Sequence, residues 1–274
     1  MFKLLKDAIK ITNDNIILAT PLLLFMLILS LYIGFSRMSV NSLPVLLLSC
    51  ITVVFMTAAF FAGWFYMVKK AIALSKETFV LDTDKARATL DLIKKMPAGI
   101  GKYFWPFLGL ILLAILIISV AMPAVIKLSL YIVGPLGLDA ASMKDALASA
   151  DGIKVFIDSL SGEQIIKLFK IEMIFILFSA IFSYLFMLWI PEIIYSTKNP
   201  FMAIFKSIKK VFKQPWKLFK LFIFTWLLNF ILSFANTFSV INPLIYLIVM
   251  VLYFYFIVYL VVLLFLYYER EFTE

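Results

Sequence analysis

The sequence contains no histidine and a single cysteine, Cys50, among its 274 residues. Metal sites built from histidine and cysteine need several such ligands, and nucleophile–histidine pairs need the missing imidazole. One cysteine also leaves no partner for an intramolecular disulfide. The nine glycines are scattered, and none opens a helix as part of a phosphate-binding loop. We therefore expect no catalytic residue, no metal, no cofactor and no enzymatic activity.

Charged residues are also scarce: they make up 15% of the chain, whereas 64% of its residues are hydrophobic. A helix needs about 20 apolar residues to cross roughly 30 Å of hydrocarbon. Six stretches meet this requirement and contain no Lys, Arg, Asp or Glu: residues 16–35, 43–68, 103–126, 173–190, 221–239 and 243–268. Alternating strand patterns are absent. The sequence therefore predicts an all-α integral membrane protein with six transmembrane helices.

Lysine and arginine concentrate in two loops, residues 69–102 and 191–220, whereas acidic residues balance the basic ones in segment 127–172. The positive-inside rule places both basic loops, and both termini, in the cytoplasm. Most of the formal net charge of +9 then faces one leaflet, which favours membrane lipids with anionic headgroups as partners. No nucleic-acid-binding fold is recognisable, so nucleic acid is not an expected partner.

The second basic loop contains the sequence NPFMAIFKSIKKVFKQPW, in which Asn199 is a good N-cap and Pro200 suits the first helical position. Helical spacing puts Phe201, Ile204, Phe205, Ile208, Val211 and Phe212 on one face, and Lys206, Ser207, Lys209, Lys210 and Lys213 on the other. Such a helix lies in the membrane interface, and Gln214–Pro215 is predicted to end it. The residues predicted to bind lipid headgroups are Lys94, Lys95, Lys206, Lys209, Lys210, Lys213 and Trp216.

Similar basic, amphipathic segments precede the first and third spans, with Ile9–Lys10, Ile93–Lys94 and Ile208–Lys209 in equivalent places. Met96–Pro97 is predicted to end the second of these helices. The single polytopic domain, residues 1–274, is thus predicted to contain three repeat-like units, about 1–68, 69–196 and 197–274, each with an interfacial helix and two spans. An external segment, about 127–170, is expected to form two short helices near 140–150 and 153–160.

The segment PEIIYSTKNPFMAIFKSIKKVFKQPWKLFKLFIF resembles the recurring segment of YciC-like proteins and of the membrane domain attached to some glycerophosphodiester phosphodiesterases. The matching residues are Pro200, Ala203, Ile204, Ser207 and Trp216. The resemblance is clearest over residues 191–224 and covers the rest of the chain by architecture alone. It implies a multi-pass protein of a prokaryotic cell (plasma or inner) membrane, and it supplies no catalytic residues.

Polar residues inside the spans suggest an alternative function. Residues Thr225, Asn229, Ser233, Asn236 and Thr237 share one face of the fifth span, and Tyr253, Tyr255 and Tyr259 lie in the sixth. This polar seam either lines a path in a transporter or permease subunit or forms hydrogen bonds between helices. Hydrogen bonding is the simpler interpretation, and a homo-oligomer or a partner membrane protein is compatible with it.

Two smaller features have structural interpretations. Glu192, at the end of the fourth span, is expected to be an interface residue that pairs with a lysine of the loop. The small residues Ala58, Ala59, Ala62 and Gly63 of the second span are expected to let another helix approach closely.

Overall fold

The computed structural model describes residues 2–39, 42–79, 81–137, 150–238 and 243–273. These residues form helices joined by turns and short loops, without a strand. The helices are α1 (Phe2–Asp14), α2 (Ala19–Ser39), α3 (Leu43–Leu74), α4 (Asp82–Leu90), α5 (Met96–Val133), α6 (Ala150–Ser159), α7 (Gly162–Phe186), α8 (Trp189–Tyr195), α9 (Pro200–Lys213), α10 (Pro215–Phe238) and α11 (Pro243–Phe272). Single 3-10 turns, Ile16–Leu18 and Ile93–Lys95, precede α2 and α5.

Within the described residues, six helical stretches are long and apolar enough to cross a membrane, as expected for a multi-pass membrane protein. They are Ile16–Ser36, Leu43–Leu74, Thr83–Val133, Gly162–Tyr195, Pro215–Phe234 and Ile248–Phe272. The prediction of an all-helical chain with six helices long and apolar enough to span a membrane is therefore confirmed for the described residues. Several helices exceed the spans expected from hydropathy. Helix α5 has 38 residues, or about 57 Å at 1.5 Å per residue, so part of it must extend beyond the roughly 30 Å hydrocarbon layer.

The chain divides into two compact units, Met1–Leu113 with Leu185–Glu274 and Ala114–Tyr184. Helix α11 is the central element of the first unit, because it contacts α1, α2, α3, α8 and α10. Among the described side chains of α11, the buried ones lie mainly in the C-terminal half and include Val258, Val262, Leu263, Phe265 and Leu266. The core of this unit thus surrounds one end of α11.

Aromatic rings and one indole hydrogen bond fix that core. Phe65 of α3 stacks between Phe107 of α5 and Phe265 of α11, with ring centroids 5.5 and 5.6 Å away. Trp64 is almost completely buried, and its Nε1 donates a hydrogen bond of 2.8 Å to the carbonyl oxygen of Leu18. This bond satisfies a backbone acceptor at the 3-10 turn before α2, where the helical hydrogen-bond ladder is interrupted.

Small residues of α3 meet the start of α5, as the sequence predicts. A Cβ atom built on Gly99 would lie 2.9 Å from the carbonyl oxygen of Ala62 and 3.0 Å from the Cα of Gly63. Real Cβ atoms do not approach backbone this closely, so glycine is required at position 99 for the two helices to touch.

The second unit contains the end of α5, helix α6 and most of α7. Gly134, with φ of 84°, ends α5 in the left-handed conformation that favours glycine. Ser161 and Gln164 form a reciprocal capping box at the start of α7, with hydrogen bonds of 2.9 and 3.3 Å. Helix α6 corresponds to the short helix expected near 153–160, whereas the helix expected near 140–150 lies outside the described residues.

The predicted end of the second interfacial helix is wrong. Helix α4 ends at Leu90, a 3-10 turn follows, and Met96–Pro97 begins α5. Proline suits the first turn of a helix, because the N–H that it lacks would have no partner there. In contrast, the break at Gln214–Pro215 is confirmed, since α9 ends at Lys213 and α10 begins at Pro215.

Candidate functional site

Helix α9 begins as the sequence predicts. The Oδ1 atom of Asn199 accepts hydrogen bonds from the backbone N–H groups of Phe201 and Met202, at 3.0 and 3.3 Å. Pro200, in the first turn, packs against Gly109 of α5, where a Cβ atom would lie only 2.9 Å from the proline ring. The cap and this close contact anchor the start of α9 on the first unit.

Helix α9 has three faces, each formed by residues at helical spacing. They are a buried face (Ala203, Ser207, Val211), an exposed aromatic face (Phe201, Phe205, Phe212) and a lysine face (Lys206, Lys209, Lys213). The expected position of Ser207 among the lysines is therefore wrong. Its side chain is completely buried, and its hydroxyl donates a hydrogen bond of 3.2 Å to the carbonyl oxygen of Leu185. The side chains of Phe201, Phe205 and Phe212 are largely exposed and do not belong to the core of the first unit.

Four of the predicted headgroup ligands line one pocket of about 550 Å³. They are Lys206, Lys209, Lys210 and Lys213, and the remaining lining residues are Ser196, Glu271, Phe272 and Thr273. We call this site the lysine pocket. Lys206 Nζ donates a hydrogen bond of 3.0 Å to the Ser196 hydroxyl. Lys209 and Lys213 are exposed at its rim. Four lysines and one carboxylate, that of Glu271, line this concave surface, and the excess of positive charge favours an anionic ligand.

Lys210 differs from the other lysines because it reaches into the protein. Its Nζ lies 2.6 Å from Oε1 of Glu192, a carboxylate with no solvent exposure. The same Nζ donates a hydrogen bond to the Tyr268 hydroxyl and lies 4.8 Å from the centre of the Phe272 ring. The expected pairing of Glu192 with a loop lysine is present, and the Glu192 side chain is buried in the core of the first unit. Lys210 is thus mainly the partner that neutralises a buried charge.

A half-buried lysine, Lys69, lies in the same region and was not among the predicted site residues. Its Nζ donates a hydrogen bond of 2.9 Å to the carbonyl oxygen of Ile194 and lies 4.5 Å from the centre of the Tyr195 ring. The Tyr103 hydroxyl also donates to Ile194, at 3.2 Å. The Ile194 carbonyl, near the end of α8, therefore accepts hydrogen bonds from both α3 and α5. Sequence spacing gives no signal for these contacts, because the partners are 125 and 91 residues away.

A second basic pocket, of about 450 Å³, lies next to the lysine pocket, and Glu271 lines both. Its basic residues are Lys3, Lys217, Lys220 and Arg270. Two of them are paired: Lys217 Nζ lies 2.8 Å from Glu271 Oε2, and Arg270 lies 2.8 Å from Asp7 Oδ2. The second pair connects α1 to α11. Carboxylates therefore neutralise two of the four basic residues of this pocket.

The other predicted headgroup ligands do not line the lysine pocket. The side chains of Lys94 and Lys95 are exposed at the 3-10 turn before α5, and Lys94 Nζ lies 2.6 Å from Asp91 Oδ1. Trp216 is 76% exposed at the start of α10, with its ring against Phe219. An exposed indole at a helix start is the arrangement expected of an interfacial aromatic.

The polar seam of the fifth span lies on α10. The Thr225 hydroxyl donates a hydrogen bond of 2.8 Å to the carbonyl oxygen of Phe222 in its own helix, while Asn229 and Ser233 are exposed. The side chains of Asn236 and Thr237 lie outside the described part of the structure. In the sixth span, the Tyr255 hydroxyl donates a hydrogen bond of 2.6 Å to Asn13 Oδ1. A role of the seam in transport stays a prediction.

Comparison of the chain with models of protein families, with curated proteins and with solved structures finds no match.

Proposed function

We propose that this multi-pass protein binds anionic lipid headgroups through its basic interfacial helices, in membrane organisation or lipid handling and without catalysis. The observation that carries the proposal is the lysine pocket. A lipid phosphate at this site would meet the ammonium groups of Lys206, Lys209 and Lys213, and the last two have no other partner among the described side chains. Each basic residue near an anionic membrane surface contributes about 1 kcal/mol to binding.

The exposed aromatic face of α9 supports the same proposal. Phe201, Phe205 and Phe212 would enter the hydrocarbon boundary, with Lys206, Lys209 and Lys213 beside them at the level of the phosphates. An apolar face and a basic face of this kind are typical of helices that lie in the membrane interface. In this proposal, α1 and the segment around Lys94 and Lys95 lie in the interface in the same way.

Orientation and location complete the proposal. The positive-inside rule puts the two basic loops and both termini on the cytoplasmic side, where the leaflet is rich in anionic lipid. The location proposed is the cell (inner or plasma) membrane of a prokaryote, and the relationship proposed is the YciC-like family resembled by residues 191–224.

Native mass spectrometry of protein released in mild detergent tests the proposal. The variant Lys206→Gln/Lys209→Gln/Lys213→Gln removes three positive charges and keeps Lys210, which the fold needs for Glu192. We expect the wild type to retain anionic phospholipid and the variant to bind it at least about tenfold more weakly, because three contributions of about 1 kcal/mol are lost.

The matched control is Lys127→Gln/Lys154→Gln/Lys170→Gln, which removes the same charge from exposed lysines outside the lysine pocket. This control should retain anionic phospholipid as the wild type does. Equal retention by all three proteins would contradict the proposal, as would an equal loss in the two variants, since either result would show that the lysine pocket has no special role.

A further inference from the structure

A larger and mostly apolar pocket lies elsewhere in the first unit, where the end of α1 meets α2, α4 and α11. Its volume is about 1050 Å³, at the upper end of the range of roughly 300–1,000 Å³ for small-molecule sites. The apolar side chains that line it include Ile17, Leu23, Leu90, Val251, Leu252 and Phe254. None of its lining residues lines the lysine pocket. We call it the apolar pocket.

The apolar pocket also has charged and polar residues in its lining, and these form two specific pairs. Lys85 Nζ of α4 lies 2.9 Å from Asp14 Oδ2 at the end of α1. Asn13, beside Asp14, accepts the hydrogen bond of Tyr255. The side chains of Lys85 and Asp14 are 41% and 30% exposed, so each keeps hydrogen-bonding capacity beyond the pair.

The apolar wall and the charged pair together indicate the chemical class of the ligand. An apolar wall with a charged pair in the same lining fits an amphiphile, with a hydrocarbon chain on the wall and a polar headgroup at the pair. A soluble polar molecule would leave the apolar wall uncovered. The pair itself carries one positive and one negative charge, so it complements a headgroup with both signs better than a purely anionic headgroup.

We propose that the apolar pocket binds one zwitterionic phospholipid. An acyl chain lies against Leu23, Val251 and Leu252, the phosphate binds Lys85, and the headgroup ammonium binds Asp14. The site is separate from the lysine pocket in position, in lining residues and in the headgroup that it selects. It therefore does not depend on the proposed function.

The test uses phosphatidylethanolamine as the zwitterionic probe and phosphatidylglycerol as the anionic one, each titrated into the delipidated full chain and counted by native mass spectrometry. Ala86→Trp places an indole in the apolar pocket, whereas Thr83→Trp adds the same indole to an exposed position of α4 outside the lining. We expect Ala86→Trp to weaken phosphatidylethanolamine binding at least about tenfold and Thr83→Trp to leave it unchanged. Equal binding by the two variants would overturn the proposal.

The charged pair is tested by Asp14→Asn/Lys85→Gln, which preserves size and removes both charges. The wild type should prefer phosphatidylethanolamine to phosphatidylglycerol, and this variant should lose that preference. The absence of a preference in the wild type would overturn the assignment of the headgroup.

A third measurement does not depend on Ala86→Trp, so it stays informative if that variant fails to fold. A photo-reactive benzoylphenylalanine in place of Leu252, an exposed residue of the lining, should crosslink to the acyl chain of bound phosphatidylethanolamine. Crosslinks only to a second copy of the chain, or to another protein, would instead identify the apolar pocket as a protein interface.

Discussion

At the scale of single residues, the fully buried carboxylate of Glu192 is the most demanding feature of the fold. A carboxylate without solvent exposure is strongly disfavoured unless a positive charge and hydrogen-bond donors replace water. Lys210 supplies the charge at 2.6 Å, and the Tyr268 ring lies 4.1 Å from the Lys210 ammonium. Because Glu192 belongs to α8, Lys210 to α9 and Tyr268 to α11, this contact connects three helices.

The first prediction follows from this contact. Lys210→Met should lower the free energy of unfolding in detergent by about 3–5 kcal/mol, because it leaves the Glu192 charge buried without its partner. Chemical denaturation followed by tryptophan fluorescence measures the change.

Two companion variants make the prediction specific. Lys209→Met removes a neighbouring exposed charge and should change the free energy of unfolding by less than about 1 kcal/mol. Glu192→Gln combined with Lys210→Met removes both charges and should recover much of the lost stability. If Lys210→Met and Lys209→Met were equally stable, the buried pair would not hold α9 in place.

At the scale of helices, a close contact between backbones holds α3 against α5. Gly99 lies against Ala62 and Gly63 with no room for a Cβ atom, and the Tyr66 Cβ atom would be only 2.7 Å away. Backbone atoms cannot move aside as a flexible side chain can. Any side chain at position 99 must therefore push the two helices apart.

The second prediction compares two glycines of α5. Gly99→Ala should destabilise the protein by about 1–3 kcal/mol, through overpacking at the contact with α3. Gly101→Ala should leave stability unchanged or raise it by up to about 1 kcal/mol, because nothing lies within 4 Å of its Cβ position and alanine favours the helix. Thermal unfolding in detergent distinguishes them. A Gly99→Ala protein as stable as Gly101→Ala would show that the helices can separate without cost.

Helices α1 and α9 have the same pattern of burial when Ile9 is aligned with Ile208, as the sequence suggests. Leu4, Ala8 and Thr12 of α1 are buried, and the equivalent residues of α9 are Ala203, Ser207 and Val211, which are buried too. The exposed Phe2 corresponds to the exposed Phe201. The segment before α5 differs, because α4 ends at Leu90. The three-unit repeat remains a prediction, in which α1 and α9 share a pattern of burial and the segment before α5 does not.

The sequence predicts those features that depend on local chemistry. The length of each apolar stretch and the absence of charged residues within it identify the six candidate spans. Asn199 and Pro200 correctly mark the start of α9. The sequence does not predict that Ser207 is buried while Phe205 is exposed, because membrane helices have apolar residues on lipid-facing and protein-facing sides alike. For the same reason, spacing alone does not separate Lys210, which binds Glu192, from Lys209, which remains exposed. These outcomes depend on contacts between distant segments.

At the scale of the whole molecule, the expected membrane topology makes a prediction that chemical labelling checks. Cys50 is the only cysteine, so Cys50→Ser gives a cysteine-free background for single introduced cysteines. Thr78→Cys and Lys198→Cys lie in exposed turns of the two basic loops, and Lys154→Cys lies on exposed α6. With a membrane-impermeant maleimide, Lys154→Cys should react in intact cells, and the other two only after the membrane is opened.

Detergent extraction provides the control for the labelling experiment, and labelling of a basic loop in intact cells would contradict the expected topology. All three cysteines should react fully once the protein is extracted in detergent, since all three positions are exposed. Labelling of Thr78→Cys or Lys198→Cys in intact cells would place a basic loop outside the cytoplasm. The proposed binding of cytoplasmic-leaflet lipid would then be wrong, whereas the described contacts within the first unit would be unaffected.

The central position of α11 has a consequence for biogenesis. This helix is translated after every helix that it contacts, and its partner α1 is translated first. Ion pairing between Arg270 and Asp7 joins residues 263 positions apart in the chain. The early helices must therefore remain in the bilayer without their final neighbour until α11 leaves the translocon. During that interval they depend on lipid, or on insertion chaperones, to shield the surface that α11 later covers.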